Sequence, residues 1–163
     1  VCGSVDLITC LFDSMNFLLE DDGPAAALRA FAAALRPGGI LYFDIVTERM
    51  VTDHFEDKYW TECNATFKTT WTSAYDRATG VVDTGIRINT GAEAVVRERI
   101  HPTARFVDGI AAAGLRLVLM LDANTWQPPN DKTARIDFYA LKQPSRAMIR
   151  ALEKALGALR RNR

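Results

Sequence analysis

The sequence predicts an α/β fold in which a parallel βαβ unit is followed by an antiparallel, β-rich segment. Three observations carry that prediction. Two continuous apolar runs, Val5–Phe12 and Ile40–Val46, flank an amphipathic, alanine-rich stretch. From about Lys58 to Ile100 the pattern turns β-rich and partly alternating, with short Gly-containing turns. The chain then closes on a short helical pattern and two more apolar strands, "LRLVLMLD" and "ARIDFYALK".

The elements follow in order. Val5–Phe12 has no polar alternation and reads as a strand buried on both faces, the kind found inside a parallel sheet. It breaks into a polar knot, Asp13-Ser14-Met15-Asn16. Glu20-Asp21-Asp22-Gly23-Pro24 starts a helix, because acids favour the positive end of the helix dipole and Pro suits the first helical position. Leu28, Phe31 and Leu35 fall at spacings of three and four along it, and Arg36-Pro37-Gly38-Gly39 stops it before the strand Ile40–Val46. Strand, helix and strand with short joins read as a right-handed βαβ unit.

In the β-rich segment, "FKTTWTSAYD" and "VVDTGIRI" are separated by Arg77-Ala78-Thr79-Gly80 and predict a hairpin. Glu93–Ile100 adds a third extended stretch. His101-Pro102-Thr103 leads into a short helix with Phe106, Ile110 and Ala113 on one face, closed by Gly114. The tail from Pro144 carries Met148, Leu152, Leu156 and Leu159 at helical spacing, a stripe suited to docking on the domain or on a second subunit.

Composition narrows the function classes. The 163 residues are 48% apolar and 25% charged, with 20 basic side chains balancing 20 acidic ones, so no overall field points to nucleic acid or a membrane surface. The basic side chains of the last eighteen residues read as a solvated helix face. Three cysteines without a CxxC pair argue against a disulfide framework and for a reducing, cytoplasmic setting. No signal-peptide pattern is present, and Asn64-Ala65-Thr66 is taken as a chance sequon. Two histidines offer no metal set.

"VDLITCLFDSMNFLL", the helix ending "ALRPGG", "ILYFDIVT", and later "ERIHPTARFVDGIAAAGLRLVLMLD" with "RIDFYALK" together resemble the second half of class I S-adenosylmethionine (SAM)-dependent methyltransferases. The narrower resemblance is to the small-molecule branch. It covers roughly Val5 to Lys142 and implies a partial Rossmann-like sheet, its strands equivalent to the fourth to seventh of that family. An antiparallel β-rich insertion and a C-terminal helix complete the expected architecture. A single, N-terminally incomplete domain over 1–163 would then hold a βαβ core at 1–50 and an insertion at 58–100. Closing helix and strands occupy 101–142, and a tail helix 144–163. The family's glycine-rich cofactor turn has no counterpart, since no two of the ten glycines form a GxG. An upstream part on the order of a hundred residues is therefore expected to be missing, and the chain alone to bind cofactor poorly and to be inactive.

The resemblance implies SAM as cofactor, a small-molecule acceptor, and Leu11, Phe12, Asp13, Ser14 and Asn16 lining the methionine end of the cofactor. Asp13 could orient an incoming hydroxyl or amine or take its proton, or it could cap the turn. Asp44 reads first as structural, and His54 as a surface residue. His101 is either a substrate contact and base or a residue that opens the helix. Tyr59, Trp60, Trp71 and Trp126 are candidates for an aromatic wall around a substrate, or for packing of the hairpin. Two rival readings stay open. One is a non-catalytic module pairing through an open strand edge and the tail helix, including with a second copy. The other is the C-terminal half of another Rossmann-like enzyme.

Overall fold

The computed structural model describes residues 3–161, with side chains through residue 158. Cys2, Arg163 and the side chain of Leu159 lie outside that range. The chain runs β1 (Val5–Cys10), a 3-10 turn (Ser14–Phe17), α1 (Gly23–Ala34), β2 (Leu35–Val46), and a short α2 (Glu48–Met50) widening into a π turn (Val51–Phe55). It continues with β3 (Tyr59–Cys63), β4 (Lys68–Asp76), β5 (Val81–Ile88), β6 (Glu93–Arg99), α3 (Thr103–Ala112), β7 (Leu115–Asp122), β8 (Arg135–Lys142) and α4 (Arg146–Arg161).

Two four-stranded sheets result. The first has the order β1-β2-β8-β7, parallel between β1 and β2 and antiparallel elsewhere; the second is the antiparallel meander β3-β4-β5-β6. Inserting β8 between β2 and β7 makes it a central strand, and Ile136 to Leu141 are buried without interruption. One face of this sheet packs under α1 and α3, where Phe43, Phe106 and Phe138 are fully buried and Phe43 stacks on Phe138 at 4.7 Å. On the other face Tyr42 stacks on Tyr139, and Leu152 and Leu156 of α4 pack there, so the tail stripe docks on the domain itself.

Several expectations are corrected. β1 lies at an edge of its sheet, as the expected open strand edge requires, but it is not buried on both faces: Val5, Ile8 and Cys10 pack on the core, while Leu7 is 57% exposed. An apolar run records what a strand could bury and cannot say how many neighbours it has. The "RPGG" segment does not make a tight turn before Ile40; it is the start of β2, with Leu35 opposite Val5 and the register shifting before Leu7. Gly38 there adopts φ +83, and Met148 of α4 sits where its Cβ would be. β3 was not anticipated. It is short and mostly exposed, and its stabilising contact is the cross-strand stack of Trp60 on Trp71 at 5.5 Å.

Candidate functional site

The carboxyl ends of β1 and β2 lie side by side, and the chain leaves β1 through two consecutive left-handed residues, Phe12 (φ 56) and Asp13 (φ 52). For side chains other than glycine each such residue costs about 1–2 kcal/mol, so surrounding contacts must hold them. The Asp13 N–H donates to Asp44 Oδ2 at 3.0 Å, and the Asn16 N–H to the Asp13 carbonyl at 2.7 Å. Arg135, the first residue of β8, donates from Nη1 to Asp44 Oδ2 and from Nη2 to Asp13 Oδ2 at 3.2 Å. Ser14 Oγ donates to the Leu11 carbonyl at 2.6 Å. The turn turns Phe12 outward, 80% exposed, at the open end of the sheet beside Leu11.

Asn16 has no accessible surface. Its Nδ2 donates to the carbonyls of Val46 (3.2 Å) and Arg99 (3.1 Å), and its Oδ1 accepts from the Val46 N–H (3.0 Å). The amide thus ties the end of β2 to the end of β6 and organises the site from beneath. Thr47 follows: its Oγ1 donates to the Thr133 carbonyl at 2.7 Å and accepts from the Arg49 N–H, capping α2.

His101 is 3% exposed, and its Nε2 lies 2.7 Å from the Leu18 carbonyl, a geometry that requires an Nε2–H donor. Its ring meets Phe106 edge-on at 5.9 Å. Burial lowers its pKa, which keeps the ring neutral. It borders a separate cleft of about 780 Å³ away from Asp13, whose arginines Arg49, Arg77, Arg99 and Arg105 are all ion-paired. His54 is on the surface. The four aromatic candidates do not form one wall. Tyr59, Trp60 and Trp71 belong to the second sheet, whereas Trp126 borders a cleft of about 410 Å³ with Leu11, Phe12 and Asp44. No group of three metal-ligating side chains occurs among the described residues, and none of their helices is long and apolar enough to cross a membrane.

Sequence reasoning missed Glu98 and Arg135. Beneath the Asp13 turn is a partly open cavity of about 130 Å³, walled by Val46, Met50, Val51, Phe55 and Val82 and reached by Asp13, Thr84, Glu98 and Arg135. Glu98 stands opposite Val82 in the β5–β6 ladder, on the inward parity of β6 shared with Val96. That parity was a readable signal, because an acid on the inward face of a strand needs a reason. Among the described residues no donor hydrogen-bonds its carboxyl. Burial pushes its pKa up to about 7, the Asp13 carboxylate adds to the rise, and Arg135 opposes it. Burial likewise raises Asp13, with Arg135 pulling down and Asp44 pushing up.

A pH dependence follows. The folded state holds the Glu98 proton more tightly than the unfolded chain, so this contribution to stability is present below pH 4.5 and lost as pH rises to about 7. His101, with its lowered pKa, acts in the opposite sense as pH falls below 6.5. Comparison with Glu98→Gln separates the two. Between about pH 5 and 8 the wild type should lose about 1 kcal/mol relative to the variant, a figure discounted for partial exposure. Urea unfolding at each pH checks this.

Solved structures place the architecture. A SAM-dependent methyltransferase from Clostridium acetobutylicum superposes with a TM-score of 0.78 at 17% identity, covering 88% of this chain and 61% of its own. The fold is that of the SAM-dependent methyltransferases. The methyltransferase CcbJ from Streptomyces caelestis gives 0.72 at 16% identity, with 87% and 59% covered. CalS10, an amino pentose methyltransferase from Micromonospora echinaspora solved with SAM bound, gives 0.62 at 22% identity, with 85% and 58% covered. The chain thus spans about 60% of the length of these methyltransferases. No family model and no curated protein matches it. The expected α/β class, with antiparallel strands closing a parallel pair, agrees with the methyltransferase fold.

Proposed function

We propose that this chain supplies part of a SAM-dependent methyltransferase acting on a small molecule. The observation that carries this reading is the Phe12–Asp13 turn, held left-handed by Asp44 and Arg135 at the carboxyl end of a parallel strand pair. In open α/β sheets ligands sit beyond that end. The residues present fit one wall of a cofactor site: Leu11 and the exposed face of Phe12 suit an adenosyl or sulfonium group, and the Asp13–Ser14 turn provides polar edges. SAM would supply an electrophilic methyl group. The chain's own part is to orient the acceptor, exclude water and receive a proton. Trp126 stands as a side wall near Phe12. Trp60 and Trp71 stand toward the acceptor, linked to the Glu98 cavity by Phe55, which meets Trp60 edge-on at 5.9 Å, while Tyr59 points to the other face of β3 with Thr70 and Thr72. Free thiols at Cys10 and Cys63 support a reducing, cytoplasmic setting.

Since no GxG turn exists in the sequence, calorimetric titration of SAM into this chain should give no saturable heat at micromolar concentrations. Millimolar S-adenosylhomocysteine followed by ¹⁵N NMR should shift the amides of residues 10–14 and 44–47. Shifts confined to other regions, or none at all, would reject the reading.

A further inference from the structure

The cavity under the Asp13 turn has a mixed lining of apolar and charged side chains. Five apolar side chains wall it, and its volume of about 130 Å³ suits a small ligand group. The charged groups facing it can be enumerated by element. Asp13 comes from the end of β1, Glu98 from β6 and Arg135 from β8; Val46 of β2, Met50, Val51 and Phe55 of the helical turn, and Val82 and Thr84 of β5 bring no charge. The single guanidinium is already shared between Asp13 and Asp44. Glu98 is therefore left with no hydrogen-bond donor among the described residues, in the lining of a largely apolar recess. A half-buried carboxyl without a protein donor depends on water for its charge, and a cationic ligand can take the place of that water.

We propose that this cavity seats the amine of a small-molecule acceptor and that Glu98 receives the proton the amine must give up. An anionic group would meet a surplus of carboxylates. An alcohol would leave the Glu98 charge uncompensated, whereas an ammonium neutralises it. The proton step is closed in itself: an ammonium and the Glu98 carboxylate become a neutral amine and a neutral carboxylic acid, with the proton on Glu98 and the nitrogen lone pair free. The upward pull of burial on the Glu98 pKa makes its carboxylate a stronger base than an ordinary glutamate, which favours the transfer without equalising it. The proposal rests on the methyltransferase reading for its purpose, and its test needs no cofactor.

The experiment is ¹³C NMR of the glutamate side-chain carboxyls in the intact 163-residue chain, titrated with methylamine hydrochloride and, in parallel, with methanol. The Glu98 carboxyl should titrate with a midpoint of about 7, move saturably with methylammonium and show a lowered midpoint when it is bound. Methanol should leave it in place. Followed on the amides of Val82 and Thr84, Glu98→Gln should weaken methylammonium binding at least about tenfold. Thr84→Leu, which fills the recess without touching the carboxyl, should weaken it too. No saturable movement of Glu98, an equal response to methanol, or undiminished binding by Glu98→Gln would each overturn the proposal. If that variant does not fold, the wild-type titration decides alone. Loss of this response beside intact S-adenosylhomocysteine shifts at residues 10–14 would reject the amine site and leave the methyltransferase reading standing.

Discussion

Asn16→Leu should lower the unfolding free energy by about 3 kcal/mol or more, read as a fall in the urea midpoint with little change in slope. The two side chains share a heavy-atom skeleton branched at Cγ, so at this fully buried position the larger leucine adds some overpacking to a loss that is chiefly one of hydrogen bonds. Three are removed together. The Val46 N–H loses its acceptor, and the carbonyls of Val46 and Arg99 each lose a donor, at a site that has no accessible surface. Each buried polar group left without a partner costs roughly 1–3 kcal/mol. Ser14→Ala, two residues away, is the internal control. Its hydroxyl donates to an exposed carbonyl that water can serve, so the change should be under about 0.5 kcal/mol.

That contrast shows what a sequence can and cannot reveal of this site. The knot Asp13 to Asn16 stood out because polar residues interrupt an apolar run, a local signal. Which member faces solvent and which is buried depends on Arg99, 83 residues away, and no periodicity carries that information. The βαβ unit, the Lys68–Asp76 and Val81–Ile88 hairpin, α3, β7 and β8 were legible because each buries a face with its own period, as Phe106 and Ile110 do on α3. The exposure of one face of β1, with Leu7 open, was not, since it depends on which elements cover that face. β3 and the helical turn from Glu48 to Phe55 escaped notice because short, exposed elements draw their stability from partners: Trp71 for Trp60, and Thr133 for the capping Thr47. Glu98 and Arg135 belong to this second kind. Arg135 reads as an unremarkable first residue of a strand until folding brings it to Asp13, 122 positions earlier.

Arg135→Leu should destabilise the chain by about 2–4 kcal/mol at pH 8, and by clearly less at pH 5. The wild-type guanidinium is 27% exposed and holds two carboxylates, one of them on Asp44, whose side chain is only 6% exposed. Removing it leaves Asp13 and Asp44 close together with no cation between them, while the Asp13 N–H still donates to Asp44. Two like charges in one partly buried site cannot both remain ionised cheaply, so one carboxyl takes up a proton. Its folded-state pKa then lies above the unfolded value. For an acid this means that stability is retained at low pH and lost as pH rises, which sets the sign of the expected difference. Glu98 loses the opposing influence of the same arginine, and its pKa should climb further above 7. Urea unfolding at the two pH values checks the first part, and the carboxyl NMR midpoint of Glu98 in the variant checks the second. A loss of equal size at both pH values would show that Arg135 acts through packing of its aliphatic stem and not through charge. The site would then have to be rebuilt around Asn16 alone. If the pH dependence is found, the Asp13 and Glu98 carboxyls are linked through the arginine that faces both. The left-handed turn at Phe12 then stands on the same arginine that keeps the neighbouring cavity acidic but not fully charged.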